Sequence, residues 1–203
     1  MRNDERMSPK TPGRPRQTTH DDIRAVAFAL FAEKGYARTS LAEIARASGV
    51  SRTTLFAYFP AKRDLMWDEF DAGAERMRRS LDASADLTVM DAIVAALLAV
   101  AQYGPAEHAS FVERRRIVYS DDGLRAAAAL RADELGEVVV GEVRRRSPEV
   151  DPERVGDVVH ALMAVAERGT ADWAHLPEAS EALDEYLAMR LQPFADTLRP
   201  LLG

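Results

Sequence analysis

Apolar residues recur at intervals of three and four along nearly the whole chain, and no run alternates between β-branched and polar residues. This spacing places apolar side chains on one face of an α-helix and predicts an all-α protein of about nine helices. The first stripe consists of Ile23, Val26, Ala27, Leu30 and Phe31. Gly35 comes directly after Lys34 and predicts the end of this helix, with Tyr36 folding back onto it.

The segment from Ser40 to Tyr58 predicts two short helices around one glycine. Ser40 followed by Glu43 is a capping box that starts the second helix. Gly49 can adopt the left-handed conformation that a tight turn needs, and Ser51 caps a third helix. This is a helix-turn-helix pattern, whose third helix meets base edges and phosphates at its N-terminal end. A short corner between two helices without a DNA role has a similar skeleton and remains an alternative.

Polar side chains around this pattern are candidate DNA contacts. Lys62 follows Pro60 and is predicted to open the fourth helix, where the partial positive charge of a helix N-terminus favours a phosphate. The Tyr58 hydroxyl can donate to the same backbone. The candidates in this region are Thr39, Ser40, Ser51, Arg52, Thr53, Thr54, Tyr58 and Lys62.

Residues 1–18 are polar and rich in proline, and they predict an arm without regular structure. The sequence "GRPR", Gly13 to Arg16, presents Arg14 and Arg16 on an extended segment that fits a narrow A·T-rich minor groove. A disordered solubilising tail is the alternative.

Charge is divided unevenly along the chain, whose formal net charge is −6. Residues 1–66 carry 12 Lys and Arg against 7 Asp and Glu, and residues 67–203 carry 15 against 26. Nucleic acid would be attracted by the first part and repelled by the second. An asymmetry of this size can also arise by chance.

The remaining chain predicts a helical body that follows a DNA-binding head. Domains are expected at residues 1–18 (arm), 19–65 (head) and 66–203 (effector binding and dimerisation). Asp151 and Pro152 predict the start of helix eight. The predicted bounds of helices four to nine are Lys62 to about Leu81, Thr88 to about Tyr103, Phe111 to Tyr119, about Gly123 to Arg146, about Pro152 to Trp173, and about Ser180 to Leu202.

Helices eight and nine are apolar over most of their circumference, so both must be covered on more than one side. In helix eight, for example, Val158 and Leu162 lie on one side while Ala161 and Val165 lie on the other. Two such helices from each subunit predict a four-helix dimer interface. Burial of both helices within one subunit is the alternative.

Effector-binding residues are the least predictable feature, because pocket and core share one composition. The candidates with large or polar-tipped side chains are Trp67, Phe70, Tyr103, Phe111, Arg115, Tyr119, His160, Met163 and Trp173, with Met90 as a further nominee. His160 is more readily interpreted as a core histidine. The run from Glu113 to Arg116 is most simply a solvated face, unless one arginine turns inward to meet a carboxylate or phosphate.

Other classes of protein find little support. The chain has no cysteine, and no apolar run is long enough to span a bilayer. With no leader evident, we expect a soluble, cytoplasmic protein without a membrane partner. A di-metal enzyme in a helical bundle needs paired Glu-x-x-His motifs, and only Asp172 to His175 approaches that spacing. We therefore predict no enzymatic activity, no metal and no cofactor, and keep a di-metal enzyme, or a ligand-binding protein without a DNA role, as the alternatives.

The stretch "LFAEKGYARTSLAEIARASGVSRTTLFAYFPAKRDL", Leu30 to Leu65, resembles the TetR family of bacterial regulators. The resemblance implies a transcriptional regulator, most often a repressor, that binds a palindromic operator as a homodimer. It further implies release of the operator when a small molecule fills the C-terminal domain.

Three residues depart from the usual family pattern. Thr53 stands where glycine is common, Phe56 where tyrosine is common, and Ala61 where a capping residue is common. We expect Thr53 to add a hydroxyl contact, Phe56 to lose a phosphate hydrogen bond, and Ala61 to weaken the start of helix four by about 1 kcal/mol.

A second stretch, "YFPAKRDLMWDEFD", Tyr58 to Asp71, is similar to the mycofactocin-system branch of this family. That branch responds to acyl-CoA thioesters. The resemblance implies an apolar tunnel with an arginine near its mouth and an acyl-type effector, with acyl-CoA as the candidate.

Overall fold

The structure, a computed structural model, describes residues 19–202, which form helices joined by turns, with no β-strand within that range. The all-α prediction is confirmed for this part of the chain. The α-helices are α1 (His20–Lys34), α2 (Leu41–Ala47), α3 (Arg52–Tyr58), α4 (Asp68–Asp82), α5 (Val89–Val100), α6 (His108–Tyr119), α7 (Asp122–Arg146), α8 (Pro152–Ala174) and α9 (Leu183–Leu198). Short 3₁₀ turns cover Lys62–Met66, Pro105–Glu107 and Arg199–Leu201.

Local signals set the starts of several helices. The Ser40 hydroxyl accepts a hydrogen bond from the Glu43 amide at 3.2 Å, and the Glu43 carboxylate accepts one from the Ser40 amide at 2.9 Å. The predicted capping box is therefore confirmed. The Asp151 carboxylate caps α8 with Pro152 in its first turn, also as predicted. The turn between α2 and α3 uses Gly49 at φ +69°, the left-handed conformation expected there.

Helix four differs from the prediction, which placed its start at Lys62. Lys62–Met66 forms a 3₁₀ turn, and α4 begins only at Asp68. Leu65, Met66 and Trp67 are all buried. Successive side chains of a regular α-helix are about 100° apart, so a straight helix would spread these three over about 200°. The break at Trp67 lets all three join one core.

Helices five and nine are shorter than predicted. The first of them, α5, ends at Val100 instead of near Tyr103. At the start of α9, the Leu183 amide donates to the Tyr103 carbonyl oxygen at 2.9 Å, so this long-range bond holds Leu183 where the helix begins. The predicted start at Ser180 is wrong for this reason.

Two apolar clusters hold the described residues together. The head cluster combines buried residues of α1, α2 and α3 and the 3₁₀ turn with Trp67 and with Ile117 of α6 and Leu124 of α7. The body cluster combines α4, α5, α7, α8 and α9. Because α6 and α7 contribute to the head cluster, the head does not close its own core.

Helix α3 is anchored by one buried side chain. Leu55 is 0% exposed, whereas every other residue of this helix is exposed. Replacing Leu55 by alanine is therefore expected to lower the free energy of unfolding by about 2–5 kcal/mol. Phe56, its neighbour, is 49% exposed. The matched variant Phe56→Ala is expected to change this free energy by less than about 0.5 kcal/mol. Urea unfolding followed by circular dichroism measures both, and equal losses would contradict the anchor role of Leu55.

The capping box of α2 predicts a pH dependence. Hydrogen bonds from Ser40 and the Lys34 ammonium, 3.3 Å away, hold the pKa of the Glu43 carboxyl at about 2, below its ordinary value of 4.5. A carboxyl with a lowered folded-state pKa stabilises the fold above its unfolded-state pKa and loses this effect as pH falls toward the folded-state value. We expect Glu43→Gln to melt below the natural protein at pH 7 and to approach it between about pH 4.5 and pH 2.

Melting temperatures across this pH range test that expectation. The control is Glu33→Gln, which alters an exposed glutamate of α1. It should leave the pH dependence of the melting temperature unchanged. Parallel curves for the natural protein and Glu43→Gln down to pH 3 would argue against the role of Glu43.

Candidate functional site

Helix α3 presents nearly all of its surface to solvent. Six of its seven residues are exposed. Two of them are large and apolar or amphipathic, since Phe56 is 49% and Tyr58 41% exposed. Within the described residues, α3 therefore presents both apolar and polar side chains to solvent.

The polar residues of α3 divide into two groups. The Ser51 hydroxyl accepts a hydrogen bond from the Thr54 amide at 3.0 Å and lies 2.8 Å from the Thr54 hydroxyl oxygen. The Ser51 hydroxyl therefore caps the helix, and the Thr54 hydroxyl is bonded to it. Arg52 and Thr53 are also exposed, and among residues 19–202 neither side chain has a hydrogen bond or ion pair. Among residues 19–202 both side chains therefore have free donors, as does the exposed hydroxyl of Tyr58.

Tyr58 lies beside a histidine that the sequence analysis did not single out. The His20 ring is 4.1 Å from the Phe59 ring and 5.5 Å from the Tyr58 ring. His20 Nδ1 is also 3.2 Å from a carboxylate oxygen of Asp68. His20 thus joins the start of α1 to the end of α3 and the start of α4. Tyr58, Phe59 and Asp68 are all far from His20 in the sequence, so no local pattern could have predicted this role.

Thr39 and Ser40 differ in exposure although they are adjacent. Thr39 is 2% exposed, and its hydroxyl donates to the Gly35 carbonyl oxygen at 3.0 Å. This placement within the turn removes the Thr39 side chain from the exposed surface that we expected it to join. Ser40 is exposed at the start of α2, with its hydroxyl 2.9 Å from the Glu43 carboxylate.

Lys62 is turned toward the α1–α2 turn. Its ammonium donates to the carbonyl oxygens of Tyr36 at 2.7 Å and Thr39 at 3.0 Å, and lies 4.1 Å from the centre of the Tyr36 ring. Burial lowers the pKa of Lys62, and burial together with Asp121 raises the pKa of Tyr36 to about 12. An ammonium has three donors. Lys62 therefore fixes the turn with two of them and retains one.

Ala61 and the two arginines of the N-terminal arm are the remaining DNA-side predictions. Ala61 offers no side-chain cap, as expected, but its amide donates to the Asp64 carboxylate at 2.7 Å. Arg14 and Arg16, proposed for a minor groove, lie outside the described residues.

The candidate effector residues do not form one group. Tyr103, Phe111 and Trp173 come together, with ring centroids 4.8 Å apart for Tyr103 and Phe111 and 5.4 Å for Phe111 and Trp173. His108, which the sequence analysis missed, is buried against Trp173 at 4.6 Å and lies 3.0 Å from its carbonyl oxygen. We call these four residues the aromatic cluster.

The remaining candidates lie elsewhere. Trp67 and Phe70 are near the head, where the Arg131 guanidinium stands 5.0 Å and 5.6 Å from their rings. Met90 is buried in the body cluster. Arg115 and Tyr119 both bond to the Glu167 carboxylate, at 2.6 Å and 2.8 Å.

His160 and Met163 face α7 near Gly136. His160 is exposed, which corrects the interpretation of it as a core histidine. Its ring nitrogen Nδ1 lies 2.7 Å from the Gly156 carbonyl oxygen, one helical turn earlier.

The arginine that turns toward the aromatic cluster is Arg114. Its guanidinium lies 5.6 Å from the Tyr103 ring and donates to the Glu69 carboxylate at 3.2 Å. Burial raises the pKa of Tyr103, against the effect of the Arg114 charge. Helical phase could have revealed this residue, because Arg114 lies three positions after Phe111 and four before Val118.

A second uncovered surface lies between α8 and α9. Its open groove has a volume of about 500 Å³ and is lined by Ala164, Val165, Arg168, Met189, Arg190, Pro193 and Phe194. Met189 is 63% and Phe194 51% exposed. The opposite face of α9 packs into the body cluster through Leu183, Leu187, Leu191 and Ala195. Both faces of α9 are apolar, as predicted, but only one is covered within the subunit.

Residues 19–202 hold no group of three His, Asp or Glu side chains placed to bind a metal ion. The Asp172 carboxylate is bonded to Arg168 and Arg190 at 3.0 Å and 2.9 Å. In the same range no single helix is long and apolar enough to cross a membrane. Val89–Val100 and Pro105–Tyr119, which meet at a bend of 48°, reach that length and composition only as a pair.

Comparison with known proteins follows the two halves of the structure. The family model of the tetR-type bacterial regulatory proteins matches residues 23–66, and the model of the MftR C-terminal domain matches residues 87–199. Over 136 residues the chain is 34% identical to the mycofactocin biosynthesis transcriptional regulator MftR of Mycobacterium tuberculosis. The match covers 66% of this chain and 69% of that protein.

Solved structures with the same fold include a TetR-family regulator of Syntrophomonas wolfei, with a TM-score of 0.64 and 20% identity over 90% of this chain and 96% of that one. Another is FadR of Thermus thermophilus, a repressor in complex with lauroyl-CoA, with a TM-score of 0.53 and 22% identity over 87% and 93%. These two likenesses concern the fold.

The first family model covers the helix-turn-helix of α2 and α3, and the second covers most of the helical body. The matched C-terminal model and the identity to MftR confirm the resemblance to the mycofactocin-system branch. The chain belongs to the TetR family of transcriptional regulators and carries an MftR-type C-terminal domain.

Proposed function

We propose that the protein is a cytoplasmic repressor that binds a palindromic operator as a homodimer and releases it when an acyl-type effector binds. Residues 19–65 would form the DNA-binding head, and residues 66–203 the effector-binding and dimerisation domain. The observation that carries this proposal is the surface of α3, which is uncovered except at Leu55 and holds Arg52 and Thr53 without partners among residues 19–202.

The proposed DNA contacts follow from these placements. Arg52 and Thr53 would reach base edges and phosphates, because they lie at the start of α3 with free donors. Tyr58 and the third donor of Lys62 would contact phosphates, and Ser40, Ser51 and Thr54 would contribute from the two helix starts. Arg14 and Arg16 would enter the minor groove. Thr39 would support this surface from within the turn.

The dimer supplies the spacing that a palindrome requires. Two recognition helices must lie about 34–36 Å apart to enter successive major grooves. The uncovered apolar groove between α8 and α9 is the surface we assign to the partner subunit, where both copies would form a four-helix interface. The acidic body would then be held away from the DNA.

We propose an acyl-type effector from the proteins that this chain resembles and from the apolar character of the aromatic cluster. The FadR relative binds lauroyl-CoA, and the matched C-terminal model is that of MftR. The aromatic cluster supplies apolar contacts for an acyl chain. An effector acts by binding one of two arrangements of the head more tightly than the other. Since Ile117 and Leu124 pack in the head cluster, a shift of α6 or α7 would move the head.

Lys62 provides a test of DNA binding. Lys62→Ala is expected to weaken binding to operator and unrelated duplexes by a similar factor. It should lower the slope of log affinity against log salt by about 0.9 for each half-site, because one phosphate contact is lost. Fluorescence anisotropy with a duplex selected by the purified protein measures both quantities.

Arg144→Ala is the matched control, since Arg144 is exposed near the end of α7 on the body. Its slope should equal that of the natural protein. An unchanged slope for Lys62→Ala, or a loss of sequence preference alone, would refute the phosphate contact. Failure of the natural protein to retard any duplex at low salt would refute the proposed function.

Phe194 provides a test of the dimer. Phe194→Glu replaces an apolar ring of the α8–α9 groove by a carboxylate and is expected to raise the dimer dissociation constant at least about 100-fold, because removing a charge from water costs several kcal/mol. Sedimentation measures the dissociation constant. Gln192→Glu makes the same change of charge two residues earlier, outside the groove lining, and should remain a dimer. A dimeric Phe194→Glu variant would place the interface elsewhere.

A further inference from the structure

Phe56 lies on the exposed side of α3. Its side chain is 49% exposed, whereas Leu55, the residue before it, is fully buried. Successive side chains of an α-helix are about 100° apart, so Phe56 lies about 40° from Arg52 and about 60° from Thr53 around the helix axis. Phe56 therefore shares one face of α3 with two side chains that have free donors among residues 19–202.

The Phe56 ring takes no part in the packing of the head. Among residues 19–202 it has no aromatic or cation–π partner and belongs to neither apolar cluster. Tyr58, about 160° away around the helix axis, differs in this respect. Its ring centroid lies 5.5 Å from that of His20 and 6.5 Å from that of Phe59. The fold therefore uses the ring of Tyr58 and leaves that of Phe56 free for contact with a bound molecule.

The family and the charge of the head identify this molecule as DNA. Helix α3 is the second helix of the helix-turn-helix and lies within residues 23–66, which match the tetR model. The second helix of this motif lies in the major groove. The exposed guanidinium of Arg52 on the same face complements the charge of the nucleic acid. The Phe56 ring therefore faces the floor or the wall of that groove.

The chemistry of the ring limits what it can contact there. A phenyl ring has no hydrogen-bond donor or acceptor, so Phe56 cannot pair with a phosphate or with a polar base edge. The major groove presents hydrogen-bonding groups on all four base pairs and one apolar group, the C5-methyl of thymine. This methyl is the group of the groove that matches an apolar ring.

We infer that Phe56 packs against the C5-methyl group of a thymine in each operator half-site and thereby selects that base. This inference rests on the proposed function and deepens it by naming one base that the recognition helix reads. Cytosine has no methyl at this position, so replacing T·A by C·G removes the contact. The thymine adjoins the bases that Arg52 and Thr53 contact, because the three side chains share one face of α3.

Replacing thymine by uracil isolates the methyl group. Deoxyuridine pairs with adenine as thymidine does and lacks only the C5-methyl. One apolar carbon lost from contact corresponds to about fourfold in affinity, and two half-sites give about 15-fold. In a duplex selected by the purified full chain, each thymine is replaced symmetrically in both half-sites, and affinity is measured by fluorescence anisotropy. We expect a loss of about 15-fold at one thymine position for the natural protein.

Phe56→Ala is expected to bind the thymine and uracil duplexes of that position within about twofold of one another. Partial misfolding would weaken binding to both duplexes by the same factor, so the ratio of the two affinities reports the contact itself. Phe56→Leu keeps an apolar side chain and should retain a preference for thymine. The inference is overturned when no thymine position shows a uracil effect that disappears in Phe56→Ala, as a ring placed against the sugars would give.

Tyr58→Phe is the matched control, because it removes a hydroxyl from the other side of the same helix. It is expected to weaken binding to the thymine and uracil duplexes alike and to keep their ratio. Loss of the ratio in Tyr58→Phe would also overturn the inference. Operator binding without a uracil effect dependent on Phe56 refutes the thymine contact and retains the DNA-binding role. Failure to bind any duplex refutes the proposed function and the thymine contact together.

Discussion

The head of this protein cannot bury its own core, and its behaviour follows from that constraint. Helices α2 and α3 have seven residues each, a length at which an isolated helix is unstable in water. Their stability must come from packing. Leu55 supplies it for α3, and Ile117 and Leu124 from α6 and α7 complete the cluster. The same contacts that stabilise the head therefore attach it to the part of the chain assigned to effector binding.

Because Leu55 is the one buried residue of α3, the remaining surface of this helix is exposed to solvent. A helix that buries one residue exposes the rest, so Arg52 and Thr53 keep their donors, while Ser51 and Thr54 satisfy the helix start. Lys62 adds polar contacts to the head by donating to two carbonyl oxygens of the α1–α2 turn. Caps and one lysine thus add to the apolar packing that holds this head.

The sequence was sufficient where a feature depends on near neighbours. The Ser40–Glu43 box, the turn at Gly49 and the start of α8 at Asp151 are set within a few residues, and each was predicted correctly. Features that depend on distant partners were not. The break before α4 follows from the burial of three successive side chains in a core shared with α6 and α7. Likewise, His108 could not be found without the position of Trp173.

Candidate effector residues illustrate the same limit. Composition nominated large side chains, and the structure divides them among the head, the aromatic cluster, the rest of the body cluster, and positions on α6 and α8. Only the second group adjoins Arg114, whose partner Glu69 also lies 4.0 Å from Arg24 of the head. Arg116, by contrast, is paired with Glu113 of its own helix. The partner of Arg114, Glu69, lies on the first turn of α4 near Arg24 of α1. Glu69 thus lies between arginines of two other helices, and such a shared partner can be identified only once all three helices are in place.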